Sequence, residues 1–300
     1  EPKISLNYSS NGSNGIAALG WSLSGLQQIV RAGSSYYKDL KQVGTQQIRV
    51  DGVDFDDMDR FYLDGERLIC IEGNYGEAGS VYRTEMDSFA RITALGTEMA
   101  STGAGHVPGP SSWKIETKSG LTVLLGSRSG ASSKVTTSRG ALTWSVDQVS
   151  DTAGNYYVVD YARDTGGLTG EIRNLRVSEI RYTGTASSAP YCSVKFEYQA
   201  RPDKRVFYNV GVRNYFDKRL SSIKVLTGTF ENHRYDLSYR ASHQTGRSLL
   251  ESITKVAEGG SIQPTVFEWQ TLDHHEKKWL ESEQIKLPLY ANPDWDSRDG

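Results

Sequence analysis

Five aspartates fall between residues 51 and 59: Asp51, Asp54, Asp56, Asp57 and Asp59. Carboxylates at that density are what a hard cation such as calcium takes as ligands. Their spacing lacks the Asp-x-Asp-x-Asp-Gly order and the closing Glu of a calcium loop, so the segment reads as a solvated acidic loop. His274-His275-Glu276 is a histidine pair, but neighbours on a strand point to opposite faces and ligate one ion poorly. Beside Lys277 and Lys278 it reads as a charged exposed segment. Glu281-Ser282-Glu283 has the Glu-x-Glu form with which one class of ADP-ribosyltransferases positions a ribose and activates the acceptor. That chemistry also needs an upstream Arg and a Ser-Thr-Ser strand, and the nearest match, Thr136-Thr137-Ser138, falls in a Gly/Ser-rich connector. A site requires several groups in mutual geometry, so the pair alone assigns no catalysis. His233 and His243 flank the segment Tyr235 to Tyr239, where surface or turn roles are expected. Cys70 and Cys192 stand far apart without ligand-spaced partners, and read as small buried apolar residues, a single bridge between them being the alternative. No catalytic, cofactor-binding or metal-ligating residue is assigned, and no cofactor is expected.

The elements that would carry such groups are strands. Tyr (17) and Gly (30) are abundant while Met is scarce (3), and long Leu/Ala/Glu/Lys runs are missing, which favours strands and turns over helices. Lys and Arg (34) nearly balance Asp and Glu (36), so no basic field exists to hold a nucleic acid. No apolar run reaches the roughly 18 residues a membrane helix needs, and no membrane insertion is expected.

Lys3 to Ser9 alternates, placing Ile4, Leu6 and Tyr8 on one face of a strand, and Asn11-Gly12-Ser13-Asn14-Gly15 then supplies a turn. A strand this near residue 1 points to a chain cut from a longer protein. Ile48-Arg49-Val50 and Arg60 to Cys70 read as hairpin strands, with Asp64-Gly65 at a two-residue turn whose residues both need positive φ. Gly103 to Ser112 reads as a surface loop, followed by the strand Trp113 to Thr117, a turn, and the strand Leu121 to Leu125. Gly126 to Arg139 reads as a mobile connector.

From Trp144 onward a loose repeat appears: an apolar residue, another three positions later, a Gly-containing turn, then an alternating strand with aromatics. Val146 and Val149 lead to Tyr157, Val159 and Tyr161; Val177 and Ile180 to Val194, Phe196 and Tyr198. Leu220 and Ile223 lead to Tyr235, Leu237 and Tyr239; Leu250 and Ile253 to Val266, Phe267 and Trp269. Such units cannot bury an apolar face alone, so they should pair side by side. The predicted fold is all-β, an extended antiparallel sheet of successive hairpins or a sandwich, with most rings facing the core. Residues 1–282 are read as one all-β domain with a possible subdivision near 127–143. The Pro- and Asp-bearing tail 283–300, with Trp295 set to pack on a neighbour, is read as a linker towards a further domain.

Pro2 to Ser10, Gly12, Asn14-Gly15 and Leu19-Gly20-Trp21-Ser22-Leu23-Ser24 together resemble the opening of the SpvB-type domain family. The likeness runs on through Asp59-Arg60-Phe61, Leu63-Asp64-Gly65, Trp113 to Gly126 and Trp144 to Tyr161. It continues through Phe196-Glu197-Tyr198, Arg201-Pro202-Asp203, Arg219-Leu220, Gly246 to Leu250 and Phe267-Glu268-Trp269. The resemblance implies a non-catalytic domain of a secreted bacterial toxin, as in the B component of Tc insecticidal toxin complexes. There such a domain precedes a β-propeller and joins the RHS repeats of the C component in a β-shell around a toxic fragment, which the A component injects. In other members a separate ADP-ribosyltransferase domain follows. It also implies secretion, with cell-surface association before release; a host-surface or carbohydrate-binding module is the alternative.

Overall fold

The computed structural model describes residues 2–39, 42–43, 46–47, 52–98, 109–128, 133–166, 171–210 and 212–270. Strands dominate. β1 (Ser5–Tyr8) pairs antiparallel with β2 (Trp21–Ser24), and β3 (Gln28–Ala32) follows. A single turn of helix, α1 (Tyr36–Asp39), and the short pair β4 (Gln42–Val43) and β5 (Gln46–Gln47) precede β6 (Arg60–Leu63) and β7 (Glu66–Glu72). Asp64 and Gly65 join these last two with φ of 49° and 92°, the left-handed pair that a two-residue hairpin turn demands. The predicted strand at Ile48-Arg49-Val50 lies outside the described residues.

β8 (Val81–Thr84), β9 (Arg91–Glu98), β10 (Gly109–Glu116) and β11 (Thr122–Leu125) continue the antiparallel run. β12 (Lys134–Thr137) and the long β13 (Gly140–Ser150) follow. Two sequence expectations need correction here. The strand expected at Trp113 starts at Gly109, because residues 109–112 pair with β9 as far as Glu98. The expected connector 126–139 contains β12, whose Thr136 and Thr137 pair with Ala141 and Gly140. Neither segment shows apolar alternation; each is held by a partner strand.

Pairing closes on itself. β3 joins β6, β6 joins β7, and the run passes through β8, β9, β10 and β11 to β13, which returns to β3 through Thr143 opposite Val30 and Trp144 opposite Ile29. The product is a barrel of eight strands. Its interior is filled by rings: Phe61 meets Trp113 at 5.0 Å and Trp144 at 5.7 Å between centroids, and Tyr82 meets Trp113 at 5.3 Å, all edge to face. Ile29, Leu68, Ile92, Ile115 and Leu125 complete this core. Burying each such side chain contributes about 1.5–3 kcal/mol, so this packed interior makes the barrel a stable support.

β13 also starts a second structure. Its first half carries β12 and β3, and its second half carries β11 and β14 (Tyr156–Gly166). From β14 the sheet grows hairpin by hairpin through β15 (Glu171–Gly184), β16 (Cys192–Asn209), β17 (Val212–Thr227), β18 (Phe230–Ala241) and β19 (Ser248–Ala257). The two-residue strands β20 (Gly260–Ser261) and β21 (Thr265–Val266) lie along β19. The sequence repeat and this sheet coincide. Barrel and sheet belong to one compact unit, Glu1–Phe267; a second unit is Glu268–Gly300. Among the described residues no helix is long and apolar enough to cross a membrane.

Candidate functional site

The three-residue apolar spacing has a structural cause. On a regular strand residues three apart face opposite sides, and one extra residue puts them on the same side. Pairing skips Asp147 between Gln148 and Val146, Ser178 between Glu179 and Val177, Ser221 between Ser222 and Leu220, and Glu251 between Ser252 and Leu250. Each repeat therefore carries a bulge at the same place, and Val146, Val149, Val177, Ile180, Leu220 and Leu250 are all buried.

A tyrosine accompanies three of these bulges. The Tyr161 hydroxyl donates to the Val146 carbonyl at 2.7 Å, Tyr198 to Val177 at 2.6 Å and Tyr239 to Leu220 at 2.5 Å. Each thus ties its strand to the bulge one strand back. Burial pushes all three hydroxyls above the ordinary phenol range, which keeps them protonated as donors. Guanidinium groups cover two of the rings, Arg176 at 5.5 Å from Tyr198 and Arg219 at 4.2 Å from Tyr239.

The family-like motifs at Asn14-Gly15, Arg201-Pro202-Asp203 and Ser248 converge on one knot. The Arg201 side chain is fully buried; its Nε donates to Asp203 Oδ1 at 3.1 Å and its Nη2 to Asn14 Oδ1 at 2.8 Å, while Phe216 lies under it at 4.4 Å. Asp203 also accepts from Asn14 Nδ2 at 2.8 Å, from the Ser248 backbone at 2.9 Å and from Ser248 Oγ at 2.5 Å. Burial alone would raise the Asp203 carboxyl, but hydrogen bonds from Ser248, Asn14 and Arg201 outweigh it and hold the group well below the usual carboxylate range. Backbone bonds from Leu19 to Ser248 at 3.0 Å and from Leu220 to Ile16 at 2.9 Å dock the same N-terminal loop on the sheet. This knot is built to fasten. Among the described residues, the Asp203 contacts are all with internal donors.

The acidic segment behaves similarly. Ligand atoms of Asp54, Asp56 and Asp59 lie within 4.8 Å of one another, and one of the three already has a cation: Arg31 Nη1 donates to Asp59 Oδ2 at 3.0 Å. Asp59 is buried rather than solvated, which corrects the loop reading for that residue, and burial raises its carboxyl despite the partner. Phe55 and Phe61 flank the guanidinium at 5.0 and 5.2 Å, and a Cβ on Gly109 would come within 2.3 Å of Arg31 Nη2. Asp51 lies outside the described residues.

Other candidates separate. His233 sits within β18, against Tyr235 at 5.4 Å, rather than at a turn, and burial lowers its pKa; His243 lies in an exposed turn. Cys70 and Cys192 are free, half-buried thiols on β7 and β16. Thr136 and Thr137 lie on β12, whereas His274-His275-Glu276, Glu281-Ser282-Glu283 and Trp295 fall outside the described residues. Sequence reasoning could not name the knot's chemistry, although it singled out the motifs that form it.

A closed barrel from whose shared strand a bulged antiparallel sheet grows defines the class, an all-β barrel-and-sheet domain. The chain belongs to the SpvB family, described as Salmonella virulence plasmid 65kDa B protein, whose model matches residues 1–201. The N-terminal domain of effector protein SpvB from Salmonella typhimurium strain LT2 shares the fold with a TM-score of 0.64 at 17% identity, covering 85% of this chain and 94% of that one. A TcdB2-TccC3 crystal structure matches at TM-score 0.65 and 16% identity, over 91% of this chain and 16% of that one. The Photorhabdus luminescens Tc holotoxin pore matches at TM-score 0.65 and 15% identity, over 90% of this chain; the match spans only 15% of that chain. No curated protein matches in sequence.

Proposed function

We propose that this chain is a non-catalytic wall segment of a secreted bacterial toxin, forming part of a β-shell that encloses a toxic effector or helps deliver it. The carrying observation is the repeated bulge at Asp147, Ser178, Ser221 and Glu251. A bulge bends and twists its strand locally, so bulges in phase on alternate strands curve a sheet consistently to one side. A wall needs such curvature, with each hairpin covering the edge left by the last. Tyr161, Tyr198 and Tyr239 lock it, and the Arg201 knot fixes the N-terminal loop across it. The fold shared with TcdB2-TccC3 chains supports this reading.

The partners that follow are the other toxin-complex components: an RHS-repeat C component completing the shell, and an A component reached through a downstream propeller. The protein acts after export, with cell-surface association before release. Co-expression of the full-length protein with its C component tests the assignment. Cargo resistant to added protease in the wild-type complex, and digested when Ser178 and Ser221 are deleted, is the expected result. Labelled nicotinamide dinucleotide should transfer no label; transfer lost on Glu283→Gln would overturn the non-catalytic assignment.

A further inference from the structure

An open groove of about 1400 Å³ runs where the loop after β2, the barrel and the turns of the outgrown sheet meet. Tyr156, Tyr157, Tyr182 and Tyr191 line it from the sheet, and Gln27, Gln28, Asp64, Asp151 and Asn155 add amides and carboxylates. Tyr191 is exposed, whereas Tyr156, Tyr157 and Tyr182 are half-buried. We infer that the groove binds a neutral oligosaccharide, with Tyr156 and Tyr191 as stacking platforms. The inference goes beyond the wall-forming role and does not depend on it.

One exposed ring and one half-buried ring line the groove on fixed backbones. The Tyr191 side chain belongs to a residue 61% exposed, yet its N–H donates to Thr183 Oγ1 at 3.2 Å and its carbonyl accepts from Gly228 at 2.7 Å. Thr183 holds φ of 75°, an unfavourable conformation for a β-branched residue that the surrounding pairing maintains. The Tyr156 ring lies flush on Gly184, where a Cβ would come within 2.6 Å of Cζ and 2.9 Å of Pro190 Cγ. Glycine is therefore required at 184 for that ring to sit there. Rigid aromatic platforms lower the ordering cost of binding.

The chemistry of the remaining wall selects the ligand. Tyrosine faces pack on the C–H faces of sugar rings, while amides and carboxylates hydrogen-bond to ring hydroxyls. A groove this large exceeds the roughly 300–1,000 Å³ of a pocket for one small molecule, which fits a chain of sugar units. Among the described lining residues two carboxylates, Asp64 and Asp151, stand against one cation, Lys3, so a sulfated or sialylated glycan would meet net like charge. An extended peptide would seek a free strand edge, but β14 is paired on both sides here, Tyr156 with Ser150 and with Gly184.

Calorimetric titration of the full chain with hexasaccharides of β-1,4-glucose, α-1,4-glucose and β-1,4-N-acetylglucosamine tests this, with a heparin hexasaccharide and a proline-rich decapeptide as competitors. At least one neutral hexasaccharide should saturate, bind more tightly than heparin or peptide, and weaken about tenfold in Tyr191→Ala. Tyr191→Trp should retain binding and report it as a change in indole fluorescence, which keeps the test valid if the alanine variant folds poorly. No saturation by any neutral probe up to ~10 mM, preference for heparin or peptide, or unchanged affinity in Tyr191→Ala would each overturn the inference.

Discussion

The hydroxyl of Tyr198 reaches back to the carbonyl of Val177 at 2.6 Å, joining the strand after one turn to the bulge before it. Tyr161 and Tyr239 repeat the bond at equivalent places. Removing only the hydroxyl, Tyr198→Phe, leaves a buried carbonyl without that donor and should cost about 1–3 kcal/mol. Urea unfolding reads this directly; an unchanged midpoint means the bond contributes nothing net.

All three staple tyrosines have folded pKa values raised by burial above the ordinary 10.0. A raised value means the folded state holds its proton more tightly, so their contribution is full below pH ~10 and falls as pH rises beyond it. Thermal unfolding followed between pH 9 and pH 12, on the order of one unit either side of the phenol range, should show a loss of stability that Tyr-to-Phe variants reduce.

Asp203 has the opposite sign. Its lowered pKa means that its contribution is present above the unfolded value near 3.8 and disappears only as pH falls through the lower folded value. Asp203→Ala leaves the buried Arg201 charge uncompensated and should cost about 3–5 kcal/mol at neutral pH. Denaturant midpoints compared at neutral pH and at pH ~3 should show the gap between wild type and variant narrowed but not closed, because the folded carboxyl is still ionised at the lower pH.

Deleting Ser221 removes the extra residue of one bulge and turns Leu220 from the core to the opposite face. The expected loss is on the order of 3 kcal/mol, comparable to deleting a buried leucine. Deleting Ser187 in the exposed Thr185 to Ser188 turn is the control, and equal losses from both would refute the bulge argument.

Gly109→Ala drives a methyl against Arg31, whose guanidinium is pinned by Asp59 at 3.0 Å and by the Ala141 carbonyl at 3.2 Å. Overpacking of this kind should cost about 1–3 kcal/mol. A melting temperature equal to wild type would show that the guanidinium can swing aside.

Much of the sheet was legible because its signals are local. The pairs Val177 and Ile180 or Leu220 and Ile223 mark bulged strands three residues at a time, and Asp64-Gly65 names its own turn. β12 was missed because Thr136 and Thr137 have no alternation of their own. Ser133 and Ser127 beside it are held by hydrogen bonds to the buried Asp147 at 2.8 and 2.9 Å, and that carboxylate belongs to a different strand. Asp59 was misjudged for the same reason, since its cation comes from β3.

The sequence by itself determined the all-β class, the repeat and the motifs of the SpvB family, because alternation, turn chemistry and bulge spacing are relations between near neighbours. Only the tertiary structure decided that β3 and β13 close a barrel, that Arg201 meets Asn14 across 187 positions, and that four tyrosines line one groove. Those outcomes depend on which buried charge finds which partner after the chain has folded. No local pattern encodes that choice, because the desolvation that makes it decisive exists only once the strands have assembled.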